Sequence, residues 1–545
     1  MNKKIKHSIL LIAGLLILNF ANQGFYQRFD LTQDKRYTLS EVTSSIIEDI
    51  DRQLIVRVYL EGEFPSEFKR LQIETRQFLE ELRAKNSKVK IQFINPDSQR
   101  ERLVKAGMTP SQLTVEEDGK LSNAIIFPWA EIDYKNKTEI VSLLPNSIVQ
   151  SQEQQLELAI ENLEFSFTNA ISIISQKNTK KVAVLTGNGE LEDIQAYSFL
   201  KEVTKKYRLA KFTLDSVQAN PQRSLQDIQS FDLAIISKPT QAFTEEEKMV
   251  LDQFIMNGGK TLWMLDNVQA DTDSLFNGGK MLAYPRDLNL TDQLFSYGVR
   301  INTTLIQDLY AAKIPLATGN IGNQTQFQNL PWFYHPLVGG NTNHPITKNM
   351  VPVRLRFANQ IDTLKNNIKK TPLLVSSLLT RKTGTPNFIE LQSIAKEPTK
   401  QEYQSGYQLF SVLLEGEFKS MYANRIKPFK GSFKDKGVQN KMVVVADGDI
   451  GRNQILKRQP YDLSVDKWTG EQFGNKEFLL NAVDYLLDDS GLIDLRNKTL
   501  QINLLDKQRA FKERTFWQFI NVALPLLLLF GFGIVFNYLR KRKYS

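Results

Sequence analysis

The stretch KVAVLTGNGELEDIQAYSFL (residues 181–200) sets an apolar, strand-like run, Val182 to Leu185, directly before Gly187-Asn188-Gly189-Glu190 and a helix-like segment. Strand, glycine turn and helix is the order in which backbone N–H groups cradle phosphate and nucleophile elbows present a serine. Neither chemistry fits these residues. The third glycine of a dinucleotide fingerprint falls on Glu192, so the spacing fails. Glu190 and Glu192 stand where the helix begins, complementing its dipole and repelling phosphate. No serine lies between the glycines, which removes the elbow. The turn reads as a structural corner, with Gly187, Asn188, Gly189 and Glu190 kept as candidate ligand-binding residues.

A second constellation is acidic. Glu190, Asp266, Asp447 and Asp449 stand at the C-terminal ends of predicted parallel strands, the edge at which open α/β sheets bind ligands. Carboxylates there could hold a cation or recognise sugar hydroxyls. The plainer reading is caps and turns, which aspartate fills routinely. Glycan hydrolysis by Glu190, Asp266 and Asp447 would require two carboxylates roughly 5–9.5 Å apart.

Gly258-Gly259-Lys260-Thr261 has the end of a phosphate-loop motif, but Phe254 occupies its first glycine position. The element order is also reversed, helix into strand, so the glycines read as a helix C-cap. The chain has 3 histidines, too few for a histidine metal site, and 0 cysteines, which excludes disulfides, thiolate sites and cysteine nucleophiles. His335 and His344 precede prolines and read as loop residues. No cofactor, metal or catalytic residue is expected, leaving a non-enzymatic protein.

The elements that position these residues fall into two parts. Over 26–178, Thr38 or Ser40 caps a short helix, Leu54–Gly62 and Val89–Asn95 read as strands, and Phe68–Lys85 as the helix between them. Asn123–Tyr134 and Thr138–Leu144 read as a strand pair, and one long helix carries Leu156, Ile160, Leu163, Phe167, Ile171 and Ile174 on one stripe. This layout is thioredoxin-like without a C-x-x-C. Over 179–500, strands alternate with helices, predicting a flavodoxin- or Rossmann-like α/β domain with a parallel sheet. Residues 300–430, including the loop ATGNIGNQTQFQN, read as an insertion on the same sheet.

A chain of 545 residues with net charge +9 suggests nucleic acid until the charge is located. Lys3, Lys4 and Lys6 lie at one end and Arg540–Lys543 at the other, so the body between is nearly balanced and no nucleic-acid partner is expected. Both clusters flank apolar segments. Residues 1–25 read as an uncleaved N-terminal transmembrane anchor, because Asn19-Phe20-Ala21 is a poor cleavage site. Phe516–Leu539 carries no charge and is long enough to span. It follows a linker at 501–515 and precedes a basic tail at 540–545. The positive-inside rule puts both termini in the cytoplasm and the body outside, although Lys507, Arg509, Lys512 and Arg514 fall on the outer side.

Several long motifs then match a known family in order: VAVLTGNGE, FDLAIISKPT, EEEKMVLDQFIMNGGKTLWMLD, YGVRINTTLIQDL, HPIT, LLEGEFKSMYANR and VVVADGD, followed by LRNKTLQINLLDKQRAFKERTFWQFINVALP. They resemble the GldG family, the ABC-transporter auxiliary subunits of bacterial gliding motility, over nearly the whole chain. The resemblance implies a periplasmic, substrate-binding or coupling body anchored in the inner membrane. It implies as partners a GldA-like ATPase, a GldF-like polytopic membrane subunit and other envelope motility components. It also implies a central fold shared with an intraflagellar-transport subunit that serves assembly. Where the family often has Gly-His-Gly-Glu, this chain has Asn188, and asparagine accepts turn conformations readily. Two alternatives from other classes are a glycan-binding or glycan-hydrolysing envelope protein using the acidic cleft, and a passive envelope scaffold.

Overall fold

Ser40 caps the first helix among the described residues. Its side chain accepts from the Thr43 N–H at 3.1 Å and starts the helix Glu41–Glu48. The computed structural model describes residues 38–62, 66–117, 120–144, 152–176, 179–321, 324–498 and 512–544. The expected anchor at 1–25 lies outside them, as does most of the linker. The chain divides into a unit ending at Lys498 and a second beginning at Thr499.

In the first part of the larger unit, Leu54–Val58 pairs parallel with Val89–Phe93 across the helix Ser66–Lys85. On its other side it pairs antiparallel with Trp129–Tyr134, which turns into Lys137–Ser142. Two expectations need correction. The segment 123–134 is not one strand: it breaks at Phe127-Pro128, and Lys120–Ile126 forms a hairpin with Ser111–Glu117. Proline has no N–H to continue a ladder. The long helix is two, Gln152–Glu161 and Leu163–Ser175. At the break the Asn162 side chain donates to the Leu158 carbonyl at 2.9 Å, competing for a backbone acceptor.

The larger sheet is built around five parallel strands, in spatial order Lys436–Val445, Lys260–Met264, Leu233–Ser237, Lys181–Thr186 and Arg208–Thr213. Every residue of Leu233–Ser237 is buried, as a central parallel strand covered on both faces requires. Successive side chains alternate between two cores. Ala234, Ile236 and Trp263 join one, under the helices Glu245–Met256 and Thr291–Tyr297. Leu233, Ile235 and Leu262 join the other, under Asp193–Lys206 and Asn475–Leu487.

Four strands from within residues 300–430 extend this sheet, while Val299–Asp308, Asn359–Thr363 and Thr380–Thr383 form a separate three-stranded sheet. Leu409–Lys419, Lys369–Val375, Gln324–Gly340 and Ala311–Ile321 add antiparallel strands beyond Lys436–Val445. The stretch predicted as a loop, ATGNIGNQTQFQN, lies in that last hairpin, and His335 is therefore in a strand. The hairpin is at the sheet's edge, where Phe327 is 69 % exposed. Strands wetted on both faces lose the apolar alternation that marks them in a sequence.

The second unit carries the helix Arg514–Tyr544, with Pro525 inside it, and its segment Arg514–Lys543 is long and apolar enough to cross a membrane.

Candidate functional site

Because the five central strands are parallel, the loops after their C-terminal ends meet at one edge of the sheet. The first is the turn at 187–190. Gly187 and Gly189 both take positive φ, 117° and 71°. A Cβ on Gly189 would lie 2.1 Å from Thr240 Oγ1, so the neighbouring loop passes where only glycine fits. That loop is tied down by the Asn188 carbonyl, which accepts from the N–H groups of Thr240 at 2.8 Å and Gln241 at 2.9 Å. The buried Asn188 amide donates to Glu247 Oε2 at 3.1 Å. Glu190 accepts from the Asn188 N–H at 2.8 Å, and Glu192 caps the helix in a capping box with Gln195. The turn's hydrogen bonds thus close on themselves and their neighbours, and its open groove is shared with Lys211 and Asp215.

Replacing Gly189 with alanine should cost about 1–3 kcal/mol, from a left-handed non-glycine residue and the collision with Thr240. Chemical denaturation of the full chain measures it; an unchanged midpoint would show that the loop yields freely.

Burial raises the Glu190 carboxyl above its ordinary value, against the hydrogen bonds it accepts, and its Oε1 has no hydrogen-bond partner. A raised carboxyl contributes stability below its unfolded value that is lost as pH rises through the folded one. The melting temperature of Glu190→Gln should therefore gain on the wild type as pH rises above the ordinary glutamate range. A gap that stays constant over that rise would contradict the assignment.

The second group gathers Asp266, Asp447 and Asp449, and does not include the Glu190 carboxylate. All three are buried, and Lys238 is buried among them. Lys238 follows the strand Leu233–Ser237 with φ 53°, and its N–H donates to the Met264 carbonyl at 2.8 Å. Its Nζ donates to Asp449 and lies 3.4 Å from Asp266 Oδ2. Asp266 also accepts from the Gly448 N–H at 2.6 Å. Asp447 accepts from the N–H groups of Asp449 at 2.7 Å and Arg356 at 2.7 Å. Gly448 is required by proximity: a Cβ would lie 2.7 Å from Lys238 Cγ.

Electrostatics separates the three acids. Burial pushes Asp447 far above the aspartate range, and Asp266 and Asp449 add to the shift. Burial also raises Asp266, against the pull of Lys238. Burial would raise Asp449 too, but Lys238, Arg356 and Arg452 override it and hold that carboxyl well below its usual range. Burial would lower Lys238, but Asp449 and Asp266 outweigh it. The outcome is a buried Lys238–Asp449 ion pair flanked by two carboxyls biased toward their protonated forms. Asp447 spends both oxygens on backbone N–H groups, as a cap does. Asp266 and Asp447 are sealed from a glycosidic bond, so they do not offer the carboxylate pair that hydrolysis needs. Among the described residues, no group of three or more His, Cys, Asp or Glu is placed to hold a metal ion.

Asp449 forms one wall of a cleft of about 270 Å³ at this edge, lined also by His335, Arg354, Arg356, Arg452 and Trp468. Arg452 donates to Asp271 at 2.8 Å and Asp273 at 3.3 Å, and Arg354 pairs with Asp466. His335 Nε2 lies 3.3 Å from Thr272 Oγ1. Burial, with Arg356 and Arg354 nearby, lowers the His335 imidazole well below its ordinary value.

None of the basic residues was singled out from the sequence. Lys238 could have been, because it ends a predicted parallel strand just as Asp266 and Asp447 do. Arg354 and Arg356 could not, because they arrive from the inserted segment; Arg452 follows Asp449 in the same short turn, and His335 was read as a loop residue.

The comparisons with known proteins bear on this body. The family described as ABC-type uncharacterized transport system matches residues 179–482, and a domain of unknown function matches residues 33–133. No curated protein matches the chain. Among solved structures, the mmIFT52 N-terminal domain is similar at 13 % identity and TM-score 0.30, over 59 % of this chain and 100 % of that one. At that overlap the likeness bears on neither fold nor function. The family match covers the whole parallel sheet, the edge cluster and the helix Asn475–Leu487 up to Ala482. The chain belongs to the ABC-type uncharacterized transport system family, as a transport-associated, membrane-associated subunit.

Proposed function

We propose that this chain is a non-catalytic, membrane-anchored subunit of a gliding-motility ABC transport complex in the bacterial inner membrane. In this reading a GldA-like ATPase supplies the energy and a GldF-like polytopic subunit forms the path. The α/β body faces the periplasm and binds a ligand or couples to other envelope motility components. The family match over residues 179–482 carries the reading. It is supported by the failed phosphate-loop spacing at Gly258-Gly259-Lys260, which leaves ATP hydrolysis to another chain, and by the ordered motifs that resemble the GldG family.

Because the chain has 0 cysteines, single introduced thiols report its topology. In intact spheroplasts, Glu397→Cys in the exposed body should react with a membrane-impermeant maleimide, and Ser545→Cys in the tail should react only after lysis. The reverse pattern would place the body in the cytoplasm and remove the proposal. Hydrolysis of ATP by the purified chain alone would remove its non-catalytic part.

A further inference from the structure

The cleft beside Asp449 holds one guanidinium that the surrounding side chains do not pair. Five basic residues line it, Lys313, Arg354, Arg356, Arg452 and Lys467, against three acidic ones, Asp273, Asp449 and Asp466. Most of these are already engaged: Asp449 by Lys238, Asp466 by Arg354, Asp273 and Asp271 by Arg452, Lys313 by Glu471, and Lys467 by the Ile455 carbonyl. Arg356 is half-buried, and among the described residues its guanidinium has neither an ion pair nor a hydrogen bond. Arg354 is only 6 % exposed, yet its Nε has no hydrogen-bond partner.

The backbone explains why these two sit together. Val353–Arg354 is a short strand, the chain bends at Arg356-Phe357, where Phe357 takes φ 51°, and Val353 and Leu355 are in the core under the helix Asn475–Leu487. With Val353 and Leu355 taken by the core, Arg354 and Arg356 both line the cleft. Arg354 has Asp466 as its counter-ion and Arg356 has no ion pair among the described residues, which leaves a half-buried positive charge that is costly without an anion.

We propose that this cleft binds a small phosphomonoester, with its phosphoryl group held by the Arg356 guanidinium and the positive charge of Arg354 behind it. A phosphoryl group has three acceptor oxygens, and the planar fork of arginine matches two of them at once. The walls also suit a ring. Trp468 is 59 % exposed and Phe276 is 41 % exposed, and both line the cleft, offering flat apolar faces to the rest of the ligand. The volume of about 270 Å³ suits a compact ligand of sugar-phosphate size rather than a dinucleotide. The site does not depend on the transport complex and goes beyond that reading.

Calorimetric titration of the full-length protein in detergent tests it, with inorganic phosphate, glucose 6-phosphate and glucose as probes. Phosphate and glucose 6-phosphate should bind and compete, and glucose should not bind. Arg356→Gln should weaken both by roughly 10- to 100-fold, the range for a lost hydrogen bond to a charged group. Arg356 makes no direct ion pair among the described residues but helps hold Asp449 ionised, so Arg356→Lys, which keeps that charge without the planar fork, should weaken both probes at a melting temperature near the wild type, which separates lost binding from misfolding. Trp468→Ala should weaken glucose 6-phosphate and leave phosphate unchanged. No binding of either phosphorylated probe at millimolar concentration would overturn the proposal. So would equal binding of glucose, or unchanged affinity in Arg356→Gln.

Discussion

Replacing Lys238 with methionine should lower the unfolding free energy by about 3–5 kcal/mol, because it removes the cation from a buried group of three carboxyls. The Lys238 side chain is 9 % exposed and that of Asp449 is 4 %, so water cannot take over the lost role. Methionine keeps the aliphatic stem and its packing on Gly448. What is lost is the charge that holds Asp449 ionised and offsets Asp266. The effect has a pH signature with a fixed sign. Asp449 is depressed in the folded state, so its contribution is present above the unfolded value and is lost as pH falls through the folded one. The gap between variant and wild type should therefore persist at neutral pH and narrow only in acid below the usual aspartate range. Denaturant unfolding of the full chain in detergent at several pH values measures both. A variant within about 1 kcal/mol of wild type at neutral pH would mean the lysine is not structural.

Trp263→Ala should cost a comparable amount, about 3–5 kcal/mol. Trp263 is fully buried, sits in register with Ile236 and Val444 on the flanking strands, and donates its ring N–H to Thr261 Oγ1 at 2.8 Å. Its removal opens a cavity in one of the two cores and strands the Thr261 hydroxyl. The strands on either side end in Lys238 and Asp447, so a loosened core should also loosen the edge cluster. Thiol labelling at an introduced Asn453→Cys, beside the cleft, should speed up in the alanine variant. An equally slow reaction together with a loss under about 1 kcal/mol would show that the sheet repacks around the gap.

What was legible in the sequence follows from how local its cause is. Val182–Leu185, Phe231–Ser237 and Lys260–Asp266 were readable because a buried parallel strand is a continuous apolar run. Ser40 and the Gly258-Gly259 cap were readable because helix ends are set by a few adjacent residues. The hairpin containing ATGNIGNQTQFQN was not, since an edge ribbon wetted on both faces carries no periodic signal. Breaks within elements, at Asn162 and at Pro128, depend on one side chain overriding its neighbours. At the site, Asp266, Asp447 and Asp449 were found by their position at strand ends, and the structure brings those three together. Glu190 was found by the same rule, but its carboxylate is held within its own turn. The cations that determine the character of the edge come from loops and inserted strands, and pairing across hundreds of residues leaves no local trace.

The most direct test of the central claim is gentle affinity purification of the full-length protein from its native membranes, followed by identification of what accompanies it. The account predicts an ATPase carrying a phosphate loop together with a polytopic membrane subunit. Recovery of the chain alone, under conditions that keep other ABC assemblies intact, would contradict it.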